Sequence, residues 1–164
     1  MEFHEIGANM KACFIGHRTI NLTEQLKNSL ETTIIHLIHN GVTTFLFGSK
    51  SEFDSLSWEI VTKIKEIYPH IKRIYIRSNY QYISKSYENY LVELYDETYF
   101  PKKLEKAGKY SYVERNCEMI DNSTYCIFYY SKEYIPQSKR NSGTKIAYEY
   151  AVKKKKEIIN LYKQ

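Results

Sequence analysis

Cysteine is scarce and carries no ligating pattern: Cys13, Cys117 and Cys126 are an odd number with no CxxC spacing. A disulfide framework and a cysteine-ligated zinc site are both excluded as organising devices. Cys13 and Cys126 fall inside apolar strand patterns and read as small buried hydrophobes of a reducing, cytoplasmic protein. Only six glycines and three prolines occur, with no internal repeat and no low-complexity linker. No apolar run approaches the roughly 18–20 residues that cross a bilayer. The opening MEFHEIGANM lacks a basic region followed by an apolar core, so residues 1–10 read as a loose leader rather than a signal peptide. The motifs GxGxxG, GxxxxGK[ST], HExxH and GxSxG are all missing. His36 and His39 stand three apart without carboxylate or cysteine company, so no metal site and no cofactor are expected.

What is present suits one folded domain over residues 11–164, with 43% hydrophobic and 26% charged residues. Tyr is abundant, 17 against seven Phe and one Trp. High Lys, Ile, Asn and Tyr together also follow from an AT-rich genome. The formal charge of +5 suits a phosphorylated ligand or weak nucleic-acid contact. Lys153 to Lys156 supply four of those charges in one run, which reads as a solvated helix end. The 19 acidic residues are interspersed, so a continuous basic track is not expected and nucleic acid is an unlikely partner.

Short apolar strands alternate with amphipathic helices. Lys11–Ile15 reads as a strand that stops at Gly16, followed by His17 and Arg18. Asn21, with Glu24 three on, forms a capping box for a helix carrying Leu26, Leu30, Ile34, Leu37 and Ile38, ended by Asn40-Gly41. Thr43–Phe47 is a second strand ending at Gly48-Ser49, and Ser51 caps the next helix. Lys72–Ile76 is a third strand. Residues 77–109 are a variable excursion, with a helix near Ser84–Leu94. A helix from about Tyr110 to Ile120, a strand at Tyr125–Tyr130, a helix over Thr144–Lys155 and a strand at Glu157–Leu161 follow. This order predicts an α/β Rossmann-like three-layer sandwich with a mostly parallel sheet of about five strands. Ligands of such sheets bind beyond the carboxyl ends of the strands, at the switch point.

Four groups could carry chemistry there. At Gly16-His17-Arg18, glycine admits close approach and Arg18 offers a donor fork to phosphate; equally, Arg18 could pair with a carboxylate. Gly143-Thr144 could open a helix with free N–H groups toward an anion, with Lys139 and Arg140 upstream, or could be an ordinary helix start. Gly48, Ser49 and Asp54 could line a ribose or phosphate, though Asp54 also suits helix capping. Arg115-Asn116 could reach the cleft from the side, or Arg115 could form a surface ion pair.

Five blocks in order resemble the SLOG superfamily, in its small YpsA-like branch: CFIGHR at 13–18, GSKSEFDSLSWEIV at 48–61, YPHIKRIYI at 68–76, YVERNCEMIDNST at 112–124, and SGTKIAYEYA followed by KEIINL. The resemblance spans about residues 11–161. It implies a nucleotide-related ligand held by Gly16, His17, Arg18, Gly48, Ser49, Asp54, Arg115, Asn116, Gly143 and Thr144. It also departs from the nucleotide phosphoribohydrolase branch: PGGxGTxxE is replaced by Arg140 to Ala147, so Ala147 stands at the catalytic glutamate position, and Glu149 is two residues away. An N-glycosidase or phosphoribohydrolase would have to use Asp54 or Glu52. The favoured expectation is therefore a binder, a sensor or sequestering protein for an ADP-ribose-like or cyclic nucleotide signal. A role in bacterial or phage immune signalling would suit so small a stand-alone domain. The glycosidase is the alternative, and a single-stranded nucleic-acid binder is third. By resemblance, a homodimer or homotetramer is expected.

Overall fold

A computed structural model describes residues 10–136 and 142–163. Apart from Met10 the expected leader lies outside the described residues, as do Lys139, Arg140 and Asn141. The elements run β1 (Met10–Gly16), α1 (Glu24–His39), β2 (Val42–Phe47), α2 (Glu52–Lys65), β3 (Lys72–Ile76), α3 (Lys85–Leu94), β4 (Glu97–Tyr99), α4 (Ser111–Asp121), β5 (Tyr125–Tyr129), α5 (Gly143–Lys153) and β6 (Glu157–Asn160). Two 3-10 turns, Lys102–Lys106 and Gly108–Tyr110, lead from β4 into α4. The strands form one sheet in the order β4-β3-β2-β1-β5-β6, every neighbouring pair parallel.

Side chains alternate across this sheet because the strand period is two. Ala12 and Phe14 of β1 join Phe45, Phe47, Ile127 and Tyr129 on the face covered by Leu30 and Ile34 of α1 and Phe53 and Val61 of α2. Cys13 and Ile15 point the other way, with Leu46, Cys126 and Phe128, against Met119 and Ile120 of α4 and Ala147 and Ala151 of α5. Helices on both faces leave the central strands β1, β2 and β5 mostly buried and apolar, and each fully buried large side chain contributes roughly 1.5–3 kcal/mol. From β1 the chain steps outward to β4, then returns to the opposite side of β1 with β5 and β6. That reversal places the crevice at the carboxyl ends of β1 and β5, as expected. Among the described residues no helix is long and apolar enough to cross a membrane.

The sheet has six strands, not five. The sixth, β4, comes from the excursion, and its sequence Glu-Thr-Tyr has no apolar alternation to reveal it. Tertiary contacts hold it instead. Asp96 accepts hydrogen bonds from the Arg73 backbone N at 2.7 Å and from its Nε and Nη2 at 3.2 Å each. Thr98 Oγ1 donates to the Tyr75 carbonyl at 2.9 Å. Helix α1 also starts later than its Asn21 signal suggests. Thr23 is the cap, its Oγ1 accepting from Leu26 N at 3.0 Å, while Asn21 N donates to the Tyr129 hydroxyl at 3.1 Å. The expected caps at Ser51 and Gly41 are present; Ser51 Oγ accepts from Asp54 N at 3.0 Å, and Gly41 has φ of 105°.

Burial pushes the Asp96 carboxyl up, but the Arg73 hydrogen bonds and charge outweigh it and leave the group below the ordinary carboxylate value. Its stabilisation is present above the unfolded value and is lost as pH falls through the folded one. Asp96→Asn should lower unfolding free energy near pH 7 by about 1–3 kcal/mol, with the gap to wild type closing below pH 4 in urea melts.

Candidate functional site

The carboxyl edge gathers three loops. At the end of β1, Gly16 is followed by His17, whose backbone N donates to the Tyr129 carbonyl at 3.2 Å. His17 is only 2% exposed. Its Nε2 accepts a hydrogen bond from Ser131 N at 2.8 Å, which places the ring proton on Nδ1. Nδ1 is buried and has no hydrogen-bond partner among the described residues. The ring stacks on Tyr134, centroids 3.8 Å apart and planes 10° apart. Burial holds the imidazole neutral and pulls its pKa from 6.5 to about 4, despite the opposing Ser131 contact. Arg18 is exposed and makes no side-chain ion pair among the described residues, while its carbonyl accepts from Glu52 N at 2.8 Å and ties the first loop to α2.

The loop after β2 folds around Asp54. Ser49 N donates to Asp54 Oδ2 at 3.2 Å, and Ser49 Oγ donates to Ser51 Oγ at 3.1 Å. The cap of α2 is Ser51 and Asp54 ties down the loop before it, yet its other oxygen, Oδ1, is buried and unpartnered among the described residues. Burial raises this carboxyl from 3.8 to about 7, against the lowering pull of Arg115 and the Ser49 and Gly48 N–H groups. Glu52, in contrast, is exposed.

Arg115 is no surface residue. It is 6% exposed, donating from Nη1 to the Gly48 carbonyl and, at 3.2 Å, to Ser78 Oγ. Its Nε donates to Asn116 Oδ1 at 3.1 Å. It faces Asp54 without closing an ion pair within 4 Å among the described residues. Burial lowers its pKa, which the Asp54 charge opposes.

The glycines differ in what demands them. A Cβ on Gly16 would lie 2.5 Å from the Phe53 ring, and one on Gly48 would run into Arg115 and Met119. Packing alone accounts for both. Gly143 is under no such demand, since the nearest atom to its would-be Cβ is Tyr112 Cε2 at 3.6 Å. It is the first residue of α5, capped by Ser142, whose Oγ accepts from Lys145 N at 3.4 Å. Thr144 beside it is 7% exposed. A small cavity of about 170 Å³ lies here, between Tyr130, Ser131, Tyr134, Ser142 and Lys145. Sequence reasoning missed Ser78, Ser131 and Tyr134. Ser78 and Ser131 each stand two residues past a strand end, which is the one local signal; Tyr134 carries none.

A Rossmann-like sheet with a polar crevice at its carboxyl edge is the class these features define. The family model described as the YspA SLOG family, YpsA, matches residues 14–163. The chain belongs to that YpsA family of the SLOG superfamily. No curated protein matches it. Among solved structures it is similar to DNA processing protein A from Helicobacter pylori, a protein described by its single-stranded DNA binding mode. The identity is 19% and the TM-score 0.56, covering 96% of this chain and 66% of that one, so the likeness is one of fold.

Two expectations follow. Gly16→Ala should cost about 1–3 kcal/mol of stability whether or not any ligand is present, measured by thermal melts. His17 and Asp54 should also give opposing pH slopes. The folded state binds fewer protons at His17 between about pH 4 and 6.5, so stability rises with pH there. It binds more at Asp54 between about pH 3.8 and 7, so stability falls with pH there. Asp54→Asn should steepen the rise, and His17→Asn should leave the fall, in urea melts across pH 4–7.

Proposed function

We propose that this chain binds a nucleotide-derived small molecule at the carboxyl edge of its sheet and holds it intact, as a sensor or sequestering protein. One observation carries the reading. Two buried polar atoms, His17 Nδ1 and Asp54 Oδ1, lack partners among the described residues, and their residues follow adjacent strands. An unmet buried polar group costs about 1–3 kcal/mol, so two at one edge favour a ligand that completes them. A nucleotide supplies both kinds of group: phosphate or carbonyl oxygens for the His17 donor, and ribose hydroxyls for Asp54. Gly143 and Thr144 add backbone donors at the positive end of α5, and Arg18 adds an exposed charge.

Retention rather than cleavage is supported by Ala147. It is 1% exposed within the core, where the resemblance places a catalytic glutamate. Asp54 is the remaining buried carboxylate of the crevice and Glu52 is exposed, which keeps the N-glycosidase as the alternative. A cytoplasmic setting and a homodimer or homotetramer belong to the same reading. A third reading, single-stranded nucleic acid, draws on what DNA processing protein A is described as binding and on the lysines near α5.

Incubation with ADP-ribose, its cyclic forms, NAD and nucleoside monophosphates, then filtration and mass spectrometry of both fractions, tests all three. Retention of one compound intact, weakened about tenfold or more by His17→Ala, supports the binder. Free base with ribose phosphate, abolished by Asp54→Asn, would instead establish the glycosidase. Retention of only an oligonucleotide, lost steeply between about 50 and 200 mM salt, would establish the nucleic-acid reading.

A further inference from the structure

We infer that the ligand has two nucleoside halves joined through phosphate, and that the second half lies in a groove along the outer side of α5. This rests on the nucleotide reading above and extends it to a place that reading does not use. The groove has a volume of about 540 Å³ and is lined by Tyr130, Lys132, Lys145, Tyr148, Glu149 and Lys153, among others. It is larger than the 170 Å³ cavity, and its lining does not include Asp54.

The groove follows from helical spacing. Lys145, Tyr148, Glu149, Val152 and Lys153 fall at i, i+3, i+4, i+7 and i+8, so they form one stripe about 12 Å long on α5. Ala147 and Ala151 face the sheet instead and let α5 pack closely. The Tyr148 ring stacks on Tyr130, centroids 4.6 Å and planes 28° apart, giving the groove an aromatic wall. Burial, then the charge of Glu149, pushes the Tyr130 hydroxyl up, which agrees with its lying beside that carboxylate.

Three features select the occupant. The walls are aromatic and aliphatic, which suits a nucleobase. Lys132, Lys145 and Lys153 stand against a single carboxylate, Glu149, and none of the three makes an ion pair among the described residues. Lys153 also favours the carboxyl end of α5, where it lies in the last turn, but Lys132 and Lys145 have no such role, and three cations along one wall complement an anion. Finally, Tyr130, Lys132 and Lys145 also line the 170 Å³ cavity that holds Tyr134, the residue stacked on His17. The two spaces thus meet at two lysines. A phosphate there links a nucleoside at the β1 and β5 ends to a second base against Tyr148, with Glu149 able to accept from its amine or ribose hydroxyls. The small cavity alone is well below the roughly 300–1,000 Å³ of small-molecule sites, whereas the pair reaches it.

Isothermal titration of the full chain with AMP, the phosphodiester dinucleotide pApA, and a twelve-residue oligoadenylate tests this, with matched guanine and uracil sets. One dinucleotide should bind about tenfold or more tighter than its mononucleotide. Tyr148→Leu should remove most of that advantage and leave the mononucleotide affinity in place. Lys153→Gln, a surface change that adds no negative charge to the end of α5, should reduce it too in a protein that still melts cooperatively. Mononucleotide binding with no dinucleotide gain, or a gain untouched by both variants, overturns this inference and leaves the crevice reading standing. Oligonucleotide binding that is tighter still and steeply salt-dependent overturns it in favour of a strand. Failure of every nucleotide to bind overturns the crevice reading as well.

Discussion

A buried guanidinium governs the carboxyl edge. Arg115 reaches from α4 to the carbonyl of Gly48 at the end of β2 and to Ser78 beyond β3, joining two strand ends that have no other polar link of this kind among the described residues. Taking a charge out of water costs several kcal/mol unless it is hydrogen-bonded, so the loops cannot shift without exposing that cost. The lock explains the glycine at 48, because Arg115 and Met119 occupy the space of any side chain there. It also sets the field at Asp54, which sits close enough to feel the charge yet is not paired with it.

Around that lock the polar groups are divided between structure and readiness. Ser51 and Ser49 spend themselves on the start of α2, and Ser131 fixes the tautomer of His17. Among the described residues, what is left over is one donor on His17 and one acceptor on Asp54, both in low dielectric where an unmet group is most costly. Their pH responses oppose each other, so a crevice that is strained at the level of single atoms need not make the whole protein sensitive to pH. The α5 helix then serves two sides at once. Its alanines pack on the sheet, its Ser142 cap and Lys145 line the small cavity, and its lysine and tyrosine stripe lines the outer groove.

Much of the fold was legible because periodicity and caps report burial directly. The strand at Lys11–Ile15, the helix faces of Leu30, Ile34 and Leu37, the Ser51 cap and the Gly41 stop were readable within a few residues of their observed limits. The strand Glu97–Tyr99 was not, since its place depends on Asp96 meeting Arg73 from 23 residues away. Asn21 with Glu24 carried a valid capping signal, but the Asn21 backbone N is taken by the Tyr129 hydroxyl from 108 residues away and Thr23 caps the helix instead. At the site, Gly16 and Gly48 are expected to admit a ligand, whereas the crowding there comes from Phe53 at Gly16 and from Arg115 and Met119 at Gly48.

The amino-acid sequence by itself determined the alternation of strands and helices, the strands between which the chain reverses direction across the sheet, and the family blocks along the chain. Those properties follow from local pattern and from the handed, parallel connections that such a pattern permits. Tertiary structure alone decided which polar atoms stayed unpaired, that Arg115 turned inward rather than to solvent, and that Tyr130 met Tyr148 across 18 residues to wall a groove. Burial, tautomer and ring stacking depend on neighbours distant in the chain, and no local rule of spacing contains them.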